Sequence, residues 1–90
     1  MSLLMDINEL IAIVKKKLES QININQINIE DKSFLHKKHV GHKQGKFHLK
    51  IILESPELKE LTKIQSTKKI YKILDKELKE FIHSIQILIT

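Results

Sequence analysis

The residues from Phe47 to Glu54 alternate between apolar and mostly polar side chains, and this pattern limits the possible folds most strongly. Successive side chains point to opposite sides of a strand, so Phe47, Leu49, Ile51 and Leu53 share one face. His48 and Lys50 lie on the other face. The alternation therefore predicts a strand over residues 47–54 that is covered on one side only, and hence a sheet with a helical layer against that side.

A first helix is predicted over residues 6–19. Asp6 can cap it, and Glu9, three residues later, completes a capping-box pattern. Apolar residues then recur at three- and four-residue steps, which places them along one stripe of a helix. The stripe consists of Ile7, Leu10, Ile11, Val14 and Leu18.

Two further helices are predicted after the central strand. Pro56 favours the first turn of a short helix over residues 57–61. Thr62 and Gln65 form a second capping-box pattern, and a long helix is expected over residues 63–82. Its apolar stripe is predicted to consist of Ile64, Thr67, Ile70, Tyr71, Leu74, Leu78 and Phe81.

Shorter alternating segments predict strands over residues 27–31 and 84–89. A long loop rich in His and Lys, residues 32–46, joins the first strand to residues 47–54 and suggests an antiparallel hairpin. The element order is α-β-β-α-α-β. We expect one α+β domain over residues 1–90, a two-layer sandwich with helices on one face of a three-stranded sheet.

Composition excludes several classes of protein. The chain has 90 residues and no Cys, which excludes a disulfide framework, a catalytic thiol and a zinc site with thiolate ligands from this chain. No apolar run approaches the roughly 18 residues of a membrane span, and the N-terminus does not resemble a secretory signal. We expect no membrane association and a cytoplasmic protein, or one of an organellar matrix if the source is eukaryotic.

Three of the five histidines, His36, His39 and His42, recur at every third residue of the predicted loop. Imidazole is a common metal ligand, and these residues could form the edge of a metal or iron–sulfur site. The alternative is an exposed polar loop that happens to be rich in His. His48 is expected to have a structural or surface role, and His83 to cap the end of the long helix.

The basic residues of the chain are all Lys, and its net charge is +5. Lys in the predicted loop and on the helices could contact a phosphate backbone, although a solvated basic surface explains the same pattern. Lys cannot form the bidentate contacts of Arg, and few aromatic residues are available for stacking on bases. No phosphate-binding loop, dinucleotide fingerprint or nucleophile–base set is present, so an enzyme is not expected.

Four segments, taken in order, resemble the BolA-like family. Residues 31–33 (Asp-Lys-Ser), the histidine-rich loop and residues 47–51 (Phe-His-Leu-Lys-Ile) are similar to its D-x-S, HAGH-like and S-H-F-x-V segments. Residues 71–78 (Tyr-Lys-Ile-Leu-Asp-Lys-Glu-Leu) resemble its VYxxLxxEL helix, and residues 82–87 (Ile-His-Ser-Ile-Gln-Ile) its closing IHALxI.

The resemblance implies an α-β-β-α-α-β fold similar to a type II KH domain without the glycine loop. It also implies a non-enzymatic partner of monothiol glutaredoxins, monomeric alone and heterodimeric with that partner. Such pairs share a two-iron, two-sulfur cluster and serve in cluster trafficking or in iron and redox regulation. The alternative is a KH-like nucleic-acid-binding transcriptional regulator with a role in stress responses. A small adaptor without a ligand is a third hypothesis.

The resemblance also implies candidate residues. Alignment back from Tyr71 places the family's helix histidine at Thr67, which is not a useful iron ligand and weakens the expectation of a shared cluster. The loop histidines remain: His39 fits both ways of aligning the loop, and His36 and His42 each fit one. Candidate contacts to nucleic acid or to a protein partner are Lys37, Lys38, Lys43, Lys68 and Lys69.

Overall fold

The computed structural model describes residues 5–33 and 47–90. Its elements follow in the order α1 (Ile7–Gln21), β1 (Gln26–Asp31), β2 (Phe47–Glu54), α2 (Pro56–Lys59), α3 (Lys63–Ile73), α4 (Asp75–Glu80) and β3 (Ile82–Ile89). The predicted α+β class is confirmed. No helix among these residues is long and apolar enough to cross a membrane.

The sheet has three strands, as predicted, and their order in space is β1-β2-β3. β1 pairs with β2 in antiparallel register, with Ile29 opposite Ile51, so the predicted hairpin is confirmed. β3 pairs with the other side of β2 in parallel register, with Ile87 also beside Ile51. A parallel pair cannot be joined by a tight turn, and the helices α2 to α4 form the connection that it requires.

One face of β2 is buried against the helices, as its alternation predicts. Leu49, Ile51 and Leu53 are at most 2 % exposed. Burial of such a side chain contributes about 1.5–3 kcal/mol relative to leaving it in water. The core joins these residues to α1, α2 and α3, and its buried apolar members are Leu10, Val14, Leu18, Ile22, Leu49, Ile51, Leu53, Leu58, Ile70, Leu74 and Ile82.

The starts of α1 and α3 follow the N-terminal caps predicted from the sequence. The Asp6 carboxylate accepts the backbone N–H groups of Asn8 and Glu9, and α1 continues to Gln21, two residues beyond the prediction. Thr62 and Gln65 form the reciprocal capping box at the start of α3. These caps satisfy N–H groups that have no partner within the helix.

The predicted long helix over residues 63–82 is wrong in two respects. It is divided at Leu74, where φ is −98° and ψ is 20°, and Ile82 belongs to β3. Ile82 is the partner of Phe47, and the Phe47 N–H donates to the Phe81 carbonyl. The chain therefore has to leave the helix by Phe81 to enter the sheet. Leu74 is fully buried and anchors the division in the core.

The predicted apolar stripe of that helix is also partly wrong. Ile64 is 69 % exposed and Tyr71 is 43 % exposed, so neither belongs to the core. The buried residues of α3 are Ser66 and Ile70, four positions apart, and only Ile70 belongs to the predicted stripe. The Ser66 hydroxyl donates to the Lys63 carbonyl, which satisfies its polar group in the core.

An ion pair connects α1 to α4. The Lys17 ammonium lies 2.7 Å from the Glu77 carboxylate, whose side chain is 5 % exposed. Removal of Lys17 would leave the Glu77 carboxylate unpaired in a poorly solvated position. The pair therefore links α4 to α1.

A pair of substitutions tests the burial of β2. We expect Leu53→Ala to lower the free energy of unfolding by about 2–5 kcal/mol because it opens a cavity in the core. The matched control is Leu88→Ala in β3. Because Leu88 is 48 % exposed, this substitution should lower the free energy of unfolding by about 1 kcal/mol or less. Urea denaturation followed by circular dichroism measures both, and equal losses would contradict the described core.

Candidate histidine site

His48 lies near the start of β2, on the sheet face away from the helices. It is only 7 % exposed, and its Nδ1 lies 2.6 Å from the Ser84 hydroxyl of β3. His48 and Ser84 are direct partners in the parallel register. The hydrogen bond holds the imidazole against the sheet. This placement agrees with the structural role that the sequence predicts for His48.

His83 lies beside His48 because the pairing of β2 with β3 contains a bulge. Phe47 pairs with Ile82 whereas His48 pairs with Ser84, so His83 is the extra residue. Bulges of this kind redirect a side chain. The ring centroids of His48 and His83 are 5.0 Å apart with the ring planes tilted by 50°, and His83 is exposed.

The structure contradicts the expectation that His83 caps the long helix. α4 ends at Glu80, and the Phe81 N–H closes its last turn on the Glu77 carbonyl. His83 is the second residue of β3 instead. Pattern analysis missed the imidazole pair because neither the parallel register nor the bulge leaves a local signal in the sequence.

The described residues on either side of residues 34–46, the histidine-rich segment, lie beside His48. The His48 N–H donates to the Ser33 hydroxyl at 3.0 Å, and the Lys32 N–H donates to the His48 carbonyl at 2.7 Å. Ser33 and Phe47 are the described residues on either side of the segment. Six predicted site residues lie outside the described part of the chain, namely His36, His39, His42, Lys37, Lys38 and Lys43.

Two neighbouring imidazoles can supply nitrogen ligands to a metal, but they form only part of a coordination shell. Residues 5–33 and 47–90 contain no group of three or more His, Asp or Glu side chains placed to hold a metal ion. The chain has no Cys. Any complete site at this position therefore needs ligands from another part of the chain or from a partner.

A cleft of about 230 Å³ lies beside His48 on the same face of the sheet. Lys32 and Lys50 contribute to its walls. The Lys32 ammonium lies 3.1 Å from the Glu30 carboxylate, and its hydrogen bond holds the pKa of Glu30 below the ordinary value. Part of the positive charge at the cleft is therefore compensated.

Comparison with known proteins identifies the family of this chain. A family model described as BolA-like protein matches residues 18–90. The chain belongs to the BolA-like family. It is 29 % identical over 73 residues to the DNA-binding transcriptional regulator BolA of Haemophilus influenzae, and this match covers 81 % of the chain and 68 % of that protein.

Solved BolA structures share the fold. The BolA domain of SufE1 from Arabidopsis thaliana superposes with a TM-score of 0.73 at 24 % identity, and covers 88 % of this chain and 87 % of that chain. BolA1 from Arabidopsis thaliana has a TM-score of 0.72 at 22 % identity, with the same coverage. The likeness to KH domains remains a prediction.

Thr67 is far from the imidazole pair in this BolA-like fold. It lies on α3 and faces a groove that is also lined by Ile87 and Ile89, near the end of β3. His83 is near the start of the same strand, and six residues of strand span roughly 20 Å. The structure does not bring together the position assigned to the family's helix ligand and the imidazole pair.

The two described candidate lysines on α3 differ in their environment. Lys68 is exposed, whereas Lys69 forms an ion pair with Glu57 of α2. Glu57 also accepts the Asn23 N–H at 2.9 Å. Hydrogen bonding from Lys69, and then from Asn23, holds the pKa of the Glu57 carboxyl below its ordinary value of 4.5.

The interaction of Glu57 with Lys69 predicts a pH effect. Because the folded-state pKa is lowered, ionised Glu57 stabilises the fold above pH 4.5, and this contribution is lost as the pH falls through the folded pKa. We expect Lys69→Met to raise the pKa of Glu57 toward 4.5. An NMR titration of the Glu57 side-chain carboxyl carbon measures this pKa, and Lys68→Met is the neighbouring control. An unchanged pKa in Lys69→Met would contradict the assignment.

Proposed function

We propose that this BolA-like chain is a non-enzymatic partner of a monothiol glutaredoxin. The two proteins together would hold a two-iron, two-sulfur cluster for cluster trafficking or for iron and redox regulation. Family membership supports the class of function. The observation that carries the proposal is that His48, which contacts His83, lies beside Ser33 and Phe47, the described residues that flank the histidine-rich segment.

The residues present fit a cluster held at an interface. The chain supplies imidazole nitrogens and no thiolate, so the sulfur ligands must come from the glutaredoxin and from glutathione. His39 remains the first candidate for a nitrogen ligand, with His36 and His42 as alternatives. His83 is a further candidate, because it is exposed at the surface.

The neighbouring residues would orient this ligand. Ser84 holds the His48 ring, and the His48 ring in turn limits the directions that the His83 ring can take. Orientation of a ligand by the residues behind it strengthens binding at metal sites. Thr67 lies at the other end of β3 from His83, so the proposed site relies on imidazole nitrogens from elsewhere in the chain and not on the helix position.

A second candidate function is nucleic-acid binding by a transcriptional regulator. The Haemophilus influenzae relative is named a DNA-binding transcriptional regulator, and the net charge of +5 favours contact with phosphates. Among the described candidates, Lys68 is exposed for such a contact, whereas Lys69 is paired with Glu57. Lys37, Lys38 and Lys43 would add to it from the histidine-rich segment.

Visible circular dichroism of a cluster-loaded monothiol glutaredoxin tests the first proposal. Addition of the chain should change the spectrum, because ligand identity tunes the cluster. His83→Ala and His39→Ala should each weaken retention of the cluster by about 10-fold or more if they remove a ligand. Lys76→Gln, an exposed change on α4, is the control. An unchanged spectrum with the unmodified chain would refute shared ligation.

Fluorescence anisotropy with duplex DNA tests the second candidate. Binding should weaken steeply with salt, because each neutralised phosphate releases counterions, and Lys68→Gln should lower the slope by about 1. Lys69→Gln should reduce binding less, because Lys69 is already paired. Absence of binding at low salt would exclude this function.

A further inference from the structure

β3 leaves one side of its backbone without a strand partner among the described residues, since it is at the edge of the sheet. The Thr90 N–H donates to the Leu53 carbonyl of β2. Backbone groups alternate in direction along a strand, so those of Ile85, Ile87 and Ile89 point away from β2. These N–H and C=O groups can pair with another extended chain.

This edge lacks the usual protection against pairing. Exposed edge strands commonly carry Lys, Pro or another charge that discourages a second strand. The eight residues of β3, Ile-His-Ser-Ile-Gln-Ile-Leu-Ile, contain no Pro, Asp, Glu, Lys or Arg. Half-buried isoleucines occupy the alternate positions 85, 87 and 89.

An apolar groove of about 300 Å³ lies between this strand and the helices α2 and α3. Leu58 and Leu61 line it from the α2 side, Thr67 from α3, and Ile87 and Ile89 from β3. A groove between an edge strand and a helix is the geometry in which an added strand binds through its backbone and inserts alternate side chains.

Two lysines give the groove a positive rim. Lys59 and Lys63 both line it and are exposed. Neither forms an ion pair in the described part of the chain, in contrast to Lys17, Lys32 and Lys69. The groove therefore combines an apolar floor, an open strand edge and two uncompensated positive charges.

We propose that this groove binds an extended acidic segment of a partner protein, which adds a strand to β3. Aliphatic side chains at alternate positions of that segment would enter the groove, and carboxylates on the same face of the segment would meet Lys59 and Lys63. A second copy of β3 fits less well, because it has no carboxylate for these lysines. Nucleic acid also fits less well, since phosphates accept hydrogen bonds but cannot donate to the outward carbonyls.

The probe is a fluorescein-labelled peptide, Glu-Thr-Val-Thr-Val-Thr-Glu, which places two Val and two Glu side chains on one face of a strand. It is added to the full chain and followed by anisotropy. The double variant Lys59→Gln/Lys63→Gln should bind about tenfold more weakly, the loss expected for two exposed charge pairs. The control double variant Lys15→Gln/Lys16→Gln changes two exposed lysines of α1 and should bind as the unmodified chain does. A peptide with Lys in place of Glu should not bind.

Pairing of the peptide backbone with β3 can be tested separately from the charge contacts. Two further probes carry N-methyl groups on either the odd-numbered or the even-numbered backbone amides. One of them should not bind, because its methyl groups block the N–H groups that pair with β3, and the other should bind as the unmodified probe does. The amide NMR signals of Ile85, Ile87 and Ile89 should shift and exchange more slowly when the probe is bound. Equal binding of both methylated peptides, or shifts confined to other parts of the chain, would overturn the proposal.

Two further outcomes would assign the groove to another occupant and so refute an acidic peptide. A dimer of the chain, seen by sedimentation, that blocks binding of the probe peptide would make a second copy the occupant. A single-stranded oligonucleotide that displaces the peptide and depends on Lys59 and Lys63 would make nucleic acid the occupant. Absence of peptide binding at millimolar concentration would also refute it.

Discussion

β2 determines the arrangement of the rest of the chain, because both other strands pair with it and the core packs on one of its faces. Leu49, Ile51 and Leu53 form the centre of that core. Alternation then places His48 and Lys50 on the opposite face, away from the helices. The same backbone that creates the core thus also fixes the starting point of the candidate site.

The parallel pairing of β2 with β3 explains why the two candidate surfaces are separate. Its connection must cross from one end of the sheet to the other, and α2, α3 and α4 form it on the buried face. β3 consequently begins beside His48 and ends beside α3. The imidazole pair therefore lies at one end of this strand, and the apolar groove with Thr67 lies at the other.

Local signals in the sequence account for the strands, the helix caps and the α+β class. The alternation of residues 47–54 and the Thr62–Gln65 capping box are short-range effects, and both are confirmed. The division at Leu74, the bulge at His83 and the pairing of Lys69 with Glu57 depend on tertiary contacts. No Gly or Pro marks that division, and the bulge exists only in the pairing of β2 with β3, so residue patterns cannot reveal either.

The long separation between paired residues of β2 and β3 affects how the molecule acquires its surfaces. Leu53 pairs with Ile89, so this contact closes a loop that contains all of α2, α3 and α4. Loop closure carries an entropic cost, and such distant pairings slow folding. The helices and the hairpin can form from nearer contacts. β3 completes both candidate sites, so docking of this one strand turns a partly folded chain without either surface into one that has both.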